Sequence, residues 1–168
     1  MDLTYEPLDP DTLVKDADLV FLALPHTLSM ETVPRVLKHG VRLVDMSADF
    51  RLKDVSLYRT WYKVDHTAPE LLSQSIYGLP ELYRDEIADA RLLANPGCYP
   101  TCALLGLAPL IKNGYVRTDG IVIDAKSGVS GAGKSPKPHL HFPEANEAPE
   151  GRDLLTLLEA QGVAAEDP

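Results

Sequence analysis

Residues Leu19-Val20-Phe21-Leu22-Ala23-Leu24-Pro25 decide the fold of this 168-residue chain. A continuous apolar run of this length, closed by proline, is typical of a strand that is buried on both faces of a parallel sheet. Residues 29–38 follow with apolar side chains at helical spacing and Gly40 as the stop signal, and residues 41–46 form the next apolar run. This strand–helix–strand order predicts an α/β fold with a right-handed crossover.

Two more strands are predicted further along the chain, over residues 91–94 and 120–125. The stretch 49–62 mixes aromatic and charged residues and predicts short helices and loops. Ligands of an open parallel sheet collect outside the carboxyl ends of its strands. We therefore expect a site where three such ends meet: Leu24-Pro25-His26, Met46-Ser47-Ala48 and Asn95-Pro96-Gly97-Cys98.

Cys98 is the first candidate for chemistry, because it follows a Pro-Gly turn and precedes a helix-like apolar run. The N–H groups at a helix start favour the thiolate, which is the nucleophilic form of cysteine. The alternative is a small apolar residue tucked under the turn, since free cysteines are often buried. Cys102, one helical turn on, suits burial better than Cys98 does.

Composition limits the classes of partner. A formal net charge of −9 argues against a nucleic-acid or anionic-membrane surface. No apolar run approaches the ~20 residues of a membrane span, and the acidic start is unlike a signal peptide. The two cysteines favour reduced thiols in the cytoplasm rather than a disulfide framework. Only His139-x-His141 hints at metal ligation, and we predict no metal site.

Six stretches occur in this chain in the order that one family has them: Leu19 to His26, Leu43 to Leu52, Tyr77 to Leu82, Asn95 to Thr101, Ile123 to Gly133 and His141 to Glu147. Together they resemble the N-acetyl-gamma-glutamyl-phosphate reductases of the aspartate-semialdehyde dehydrogenase-like superfamily. Several motifs in fixed order are more specific than any one of them. The resemblance runs from about residue 3 to about residue 147 and covers the middle of the family's chain.

The resemblance implies a partial doubly wound parallel sheet of Rossmann type that lacks its first βαβ unit, followed by the start of an α+β catalytic domain. The implied boundaries are 1–97 for the cofactor domain, 98–150 for the catalytic domain and 151–168 for an unmatched helical tail. No G-x-G-x-x-G stands near the start, and the family's His-Arg-His segment is not found after residue 147. We therefore expect weak cofactor binding or none, together with little reductase activity, and an inactive fragment of the enzyme stays open as an alternative.

The resemblance further implies an enzyme of arginine biosynthesis, which reduces N-acetyl-gamma-glutamyl phosphate to N-acetylglutamate semialdehyde with NADP(H). Cys98 is implied as the nucleophile that forms a thioester, and the full-length family implies a homo-oligomer. The implied substrate residues are Asn95, Arg51, Ser47 and Ser127. The implied cofactor residues are Leu24, Pro25, His26, Ser130, Gly131 and Gly133.

Simpler roles compete with several of these assignments. Arg51 could form a surface ion pair with Asp49 or Asp54 instead of clamping a phosphate, and Asn95 could brace its turn. His26 could cap a strand end. The remaining histidines His39 and His66 are predicted to lie at the surface.

Two motifs suggest other chemistry. Residues 128–135 fit the letters of a phosphate-binding P-loop, but Pro136 and Pro138 forbid the helix that such a loop needs. Cys98 with His139 or His141 would suit a cysteine–histidine hydrolase or acyltransferase, and spacing alone does not establish that these residues meet.

Overall fold

A computed structural model describes Pro7 and residues 9–126 of the chain. Their centre is a four-stranded sheet in the order β1-β2-β4-β3, and its three pairings are all parallel. The strands are β1 (Leu19–Leu22), β2 (Arg42–Asp45), β3 (Ile76–Tyr77) and β4 (Leu92–Ala94). The predicted α/β class with a parallel, Rossmann-like sheet is confirmed.

Five α-helices and one 3-10 turn accompany the sheet in the described residues: α1 (Pro10–Leu13), α2 (Ser29–Leu37), α3 (Val55–Tyr62), the turn Pro69–Leu71, α4 (Pro80–Asp89) and α5 (Cys98–Lys112). None of these helices is both long and apolar enough to cross a membrane. Helix α2 is the predicted crossover between β1 and β2. Gly40 follows its end with φ +82°, a left-handed conformation that glycine adopts without steric cost.

A proline inside α2 leaves one helical carbonyl without its usual partner. Pro34 has no N–H to donate to the Met30 carbonyl one turn earlier. The Thr67 hydroxyl donates to that oxygen at 3.3 Å instead. The segment after α3 is thereby attached to the first turn of α2.

The core lies on one face of the sheet. Side chains of β1, β2 and β4 on this face pack with the buried side of α2 and with Phe50 and Tyr58 in one apolar cluster. The other face of β1 is exposed, with Phe21 66% accessible. The expectation that β1 is buried on both faces is wrong for the described residues, because the apolar cluster covers only the face that carries Leu22.

The predicted strand at 120–125 is also wrong, since residues 121–126 have no regular structure and Val122 is 88% exposed. A strand needs a hydrogen-bonding neighbour, and no part of the chain between residues 9 and 126 pairs with this run. The chain divides into two compact units, 1–101 and 102–168, and the sheet belongs to the first. The domain boundaries implied by the resemblance stay a prediction.

Candidate active site

The loops after β1, β2 and β4 meet at the carboxyl edge of the sheet. The Ala48 N–H donates to His26 Nδ1 at 3.0 Å, which joins the first loop to the second. Arg51 Nη2 donates to the Met46 carbonyl at 3.1 Å and Arg51 Nε to the Asn95 carbonyl at 2.8 Å, which join the second loop to the third. The predicted convergence of three strand ends is therefore present.

Arg51 lies half-buried between the ends of β2 and β4, held by those two backbone carbonyls. Gly97 makes room for it: a Cβ at Gly97 would lie 3.2 Å from Arg51 Nη1 and 3.4 Å from Pro100 Cδ. Nearby, burial raises the pKa of Tyr77 to about 12 against the opposing effect of the Arg51 charge, so the phenol stays protonated. The edge thus presents one fixed cation beside the turn that carries Cys98.

Asn95 extends the pairing of β4 with β2 and then shapes the turn. Its backbone N–H donates to the Asp45 carbonyl at 2.8 Å, and its side-chain Nδ2 donates to the Pro96 carbonyl at 3.1 Å. The side chain therefore braces the turn, which was the simpler of its two predicted roles. A contact of Asn95 with substrate stays a prediction.

Cys98 is the first residue of α5 and is exposed. The Gly97 carbonyl accepts the first helical bond, from the Thr101 N–H at 3.0 Å. In a helix the N–H groups before that bond have no partner within the helix, and Pro100 lacks one altogether. Cys98 is therefore an exposed residue at the start of a helix, and it is not tucked under the turn.

Cys102 is exposed as well, so its predicted burial is wrong. The buried positions of α5 from this residue onward are Ala103, Leu104, Ala108 and Ile111. At 100° per residue Cys102 projects from the side of the helix opposite this group. An apolar run had suggested burial, but helical periodicity decides which of its residues are covered.

The proposed cofactor loop follows β1, with Leu24 packed against the core and both Pro25 and His26 exposed. His26 Nδ1 accepts the Ala48 N–H, so a neutral imidazole carries its proton on Nε2. The His26 ring lies 6.0 Å from that of Tyr62. Parallel sheets bind their ligands outside the carboxyl ends of their strands, and cofactor binding by Leu24, Pro25 and His26 stays a prediction.

A buried carboxylate that the sequence did not single out lies at the end of β2. Asp45 accepts from the Ser29 hydroxyl at 2.5 Å, from the Ser47 N–H at 3.1 Å and from the Ser47 hydroxyl at 2.7 Å. Ser47 Oγ in turn accepts the Asp49 N–H at 3.0 Å. The Ser47 hydroxyl is thus engaged within the protein, and substrate binding by Ser47 stays a prediction.

Asp49 is a second carboxylate with no exposed surface, so its predicted place in a surface ion pair is wrong. It accepts from the Thr27 N–H, the Met30 N–H and the Tyr58 hydroxyl at 3.0, 3.0 and 2.9 Å. Asp54, the other predicted partner of Arg51, caps α3 through the N–H groups of Ser56 and Leu57. Burial and the Asp49 hydrogen bond raise the pKa of Tyr58.

His66 is only 6% exposed, so its predicted surface position is wrong. Its Nε2 donates to the Asp49 carbonyl at 2.9 Å, while Nδ1 accepts the Ala68 N–H at 3.1 Å. Burial lowers the pKa of His66 below 6.5. The second histidine placed at the surface, His39, is exposed and contacts Asp11. The burial of a histidine whose two ring nitrogens both bond to backbone groups cannot be predicted from a sequence pattern.

Several predicted residues lie outside the described part of the chain: Ser127, Ser130, Gly131, Gly133, His139, His141 and the P-loop-like run 128–135. Within the described part, no group of three or more His, Cys, Asp or Glu residues could hold a metal ion. A cavity of about 710 Å³ lies at the opposite, amino edge of the sheet, where Leu37, Ile76 and Leu92 form part of its wall. It contains none of the predicted site residues.

A parallel α/β sheet with loops converging at its carboxyl edge is the class of fold that binds dinucleotides. Residues 1–90 match the family model described as "Semialdehyde dehydrogenase, NAD binding domain", and residues 98–151 match "Semialdehyde dehydrogenase, dimerisation domain". The chain belongs to the semialdehyde dehydrogenase family.

Curated relatives of the chain share one name within this family. The chain is 52% identical over 147 residues to the N-acetyl-gamma-glutamyl-phosphate reductase of Symbiobacterium thermophilum. It is 53% identical over 146 residues to that of Desulforudis audaxviator and 51% identical over 146 residues to that of Methanopyrus kandleri. These alignments cover 87–88% of this chain but 42% of each relative. The chain therefore spans about two-fifths of the length of the relatives it matches.

Proposed function

We propose that this protein takes part in the NADP(H)-dependent reduction of N-acetyl-gamma-glutamyl phosphate to N-acetylglutamate semialdehyde, a step of arginine biosynthesis. The observation that carries the proposal is the closeness of Arg51 to Gly97, the residue that directly precedes Cys98. Arg51 Nη1 is 3.2 Å from the point where a Gly97 Cβ would lie, and Cys98 is the next residue. A fixed guanidinium beside an exposed helix-start thiol suits an acyl phosphate.

The chemistry assigned to Cys98 is acyl transfer to sulfur. The thiolate attacks the acyl carbon, and the bond from that carbon to the phosphate oxygen breaks. Inorganic phosphate departs, and the acyl group remains bound to Sγ as a thioester. Arg51 offsets the charge of the phosphate during binding and departure. After reduction of the thioester carbon, cleavage of its bond to sulfur releases the aldehyde and returns the thiolate.

A bound nicotinamide cofactor supplies the hydride for that reduction. Leu24, Pro25 and His26 are the described residues that would hold it, with His26 Nε2–H as a donor. Ser130, Gly131 and Gly133 are added to this set by the resemblance alone. NADP(H) rather than NAD(H) is likewise inferred from the resemblance.

The remaining substrate residues are proposed with different support. Asn95 and Ser47 shape the edge on which the acyl phosphate lies, and Ser127 rests on the resemblance.

We assign residues 1–97 to the cofactor domain, 98–150 to the catalytic domain and 151–168 to a tail. A homo-oligomer is supported by the dimerisation-domain match over 98–151, and a cytoplasmic setting by the two free thiols.

The reaction is tested most simply in reverse. The purified protein is mixed with N-acetylglutamate semialdehyde, inorganic phosphate and NADP⁺, and the absorbance of the reduced cofactor is followed. We expect slow reduction of NADP⁺, in line with the little activity expected from the sequence; it should depend on phosphate, be lost in Cys98→Ser and persist in Cys102→Ser. The same assay with NAD⁺ measures the cofactor preference.

Two results would contradict the proposal. Turnover that survives Cys98→Ser would remove the thioester step, and reduction without phosphate would remove the acyl-phosphate product. Hydrolysis of the acyl phosphate that needs Cys98 but no cofactor would favour the cysteine–histidine hydrolase alternative.

A further inference from the structure

The loop between β1 and α2 is held by a single buried side chain. Both oxygens of the Asp49 carboxylate bind backbone N–H groups on this side of the sheet: Oδ1 accepts from Thr27 and Oδ2 from Met30, each at 3.0 Å. Asp49 lies 22 residues along the chain from Thr27. The position of the first loop is thus determined by a residue of the second.

Thr27 has a backbone conformation that its side chain disfavours. Its φ is +73°, and among the described non-glycine residues only Lys63 shares a positive φ. A β-branched residue in the left-handed region is strained, and such strain persists only where the surroundings impose it. The Thr27 N–H donates to Asp49 in this conformation, so the bond contributes to holding it.

A second bond repeats the linkage one residue away. The Ala48 N–H donates to His26 Nδ1 at 3.0 Å, so the adjacent pair 48–49 holds the adjacent pair 26–27. Because Nδ1 accepts, the proton of a neutral His26 is fixed on Nε2. The linkage sets both the path of the loop and the identity of the exposed donor.

We propose that Asp49 is a positioning residue, which holds the loop 23–28 in the conformation that receives the nicotinamide dinucleotide. This inference rests on the proposed function, since it assigns the loop to that cofactor. Asp49 itself is buried and does not touch the ligand. It acts through the strained Thr27 and the neighbouring His26.

The charge and geometry at this position require aspartate rather than asparagine. Each carboxylate oxygen is an acceptor, and the three groups facing them are donors: two backbone N–H groups and the Tyr58 hydroxyl. Asparagine would turn one oxygen into an N–H₂ group that faces a donor. Either Thr27 in the loop or Met30 in the first turn of α2 would then lose its bond to residue 49, with little change in side-chain volume.

The test compares Asp49→Asn with a matched control in the same network. Tyr58→Phe removes one hydrogen bond to Asp49 but keeps the aromatic ring and leaves the loop anchors in place. Titration with NADPH should give a Kd raised about ten- to hundredfold in Asp49→Asn. Tyr58→Phe should change Kd by less than about threefold, because it loses no contact to the loop.

A rescue variant separates positioning from general destabilisation. Glycine adopts φ +73° without strain, so Thr27→Gly in the Asp49→Asn background should recover most of the lost NADPH affinity. A destabilised core would not be repaired by a glycine in the loop. Equal Kd values for wild type and Asp49→Asn, or equal losses in Asp49→Asn and Tyr58→Phe without rescue, would overturn the inference.

One measurement on the wild-type protein does not depend on the folding of any variant. Hydrogen exchange of the Thr27 amide should be slow without ligand and unchanged by NADPH, because Asp49 already holds it. Fast exchange in the free protein would contradict the inference that the loop has this conformation before the cofactor binds. A wild type that binds no NADPH while the Thr27 amide is protected would overturn the proposed function, and with it the role assigned to this loop.

Discussion

Arg51 donates from Nε to the Asn95 carbonyl at 2.8 Å, across 44 residues of sequence. This bond joins the loop after β2 to the turn after β4 and places a cation next to the residue that precedes α5. Two backbone carbonyls, those of Met46 and Asn95, orient the guanidinium. We therefore propose that Arg51 recognises phosphate as a pre-organised group.

Replacing Arg51 by Ala should weaken phosphate recognition selectively. A lost charge-assisted contact costs on the order of 1.5–3 kcal/mol, so KM for the acyl phosphate should rise about ten- to hundredfold. KM for the cofactor should stay within about threefold, because Arg51 bonds to the ends of β2 and β4 rather than to the β1 loop. Lys53→Ala is the matched control, since it removes an exposed cation two residues away. An equal effect of both variants would reduce Arg51 to a general electrostatic contribution.

Replacing Gly97 by Ala should displace Arg51 without removing any charge. The new methyl group would lie 3.2 Å from Nη1 and 3.4 Å from Pro100 Cδ, which is closer than ordinary contact. KM for phosphate in the reverse reaction should rise, while the folded state is kept. Gly106→Ala is the control: Gly106 lies within α5, which begins directly after Gly97, and nothing lies within 4 Å of the added Cβ. It should stabilise the protein by about 0.5–1 kcal/mol. Unchanged phosphate affinity in Gly97→Ala would show that the guanidinium position is not critical.

The strand–helix–strand unit around α2 was predictable because its signals are local. The apolar run of β1, the helical spacing of Met30 and Val33, and the glycine at residue 40 each act within a few residues. Parallel pairing then brings the strand ends to one edge, so the convergence at the site followed from topology. Strand β3 escaped prediction because two residues carry no periodic pattern.

The buried polar network could not be predicted, because its meaning depends on distant partners. Asp49 and His66 look like solvent-exposed residues in the sequence, and only the approach of Thr27, Met30 and Ala68 makes them satisfied core groups. The strand predicted at residues 120–125 was wrong because an apolar pattern alone does not supply the neighbouring strand with which it would pair.

His66 should make the free energy of unfolding depend on pH below neutrality. Burial lowers the pKa of His66 in the folded protein below 6.5, so between the two values the unfolded chain binds more protons. Stability should therefore be complete above about pH 6.5 and decline as the pH falls through the folded pKa of His66. Urea unfolding at a series of pH values measures the slope, and His66→Gln should flatten it. A slope of the same size in His66→Gln would assign it to other groups.

Cys98 should react faster than Cys102 with a mild alkylating agent at neutral pH. Both thiols are exposed, so access does not separate them, and only Cys98 lies at the start of the helix, beside N–H groups that have no partner within the helix. Quantitative mass spectrometry of the peptide that contains both cysteines, with fragment ions that assign the label to Cys98 or Cys102, gives the rate ratio. Faster labelling of Cys102 would remove the electrostatic argument for Cys98.

Trapping the acyl-enzyme tests the central claim most directly. The protein is incubated with N-acetyl-gamma-glutamyl phosphate without reduced cofactor, quenched in acid and digested for mass spectrometry. The account predicts an N-acetylglutamyl group on the peptide that contains both cysteines, with fragment ions that place it on Cys98; it should be absent in Cys98→Ser and present in Cys102→Ser. An adduct that persists in Cys98→Ser, or no adduct on a wild-type protein that turns over, would contradict the assignment of Cys98 as the nucleophile.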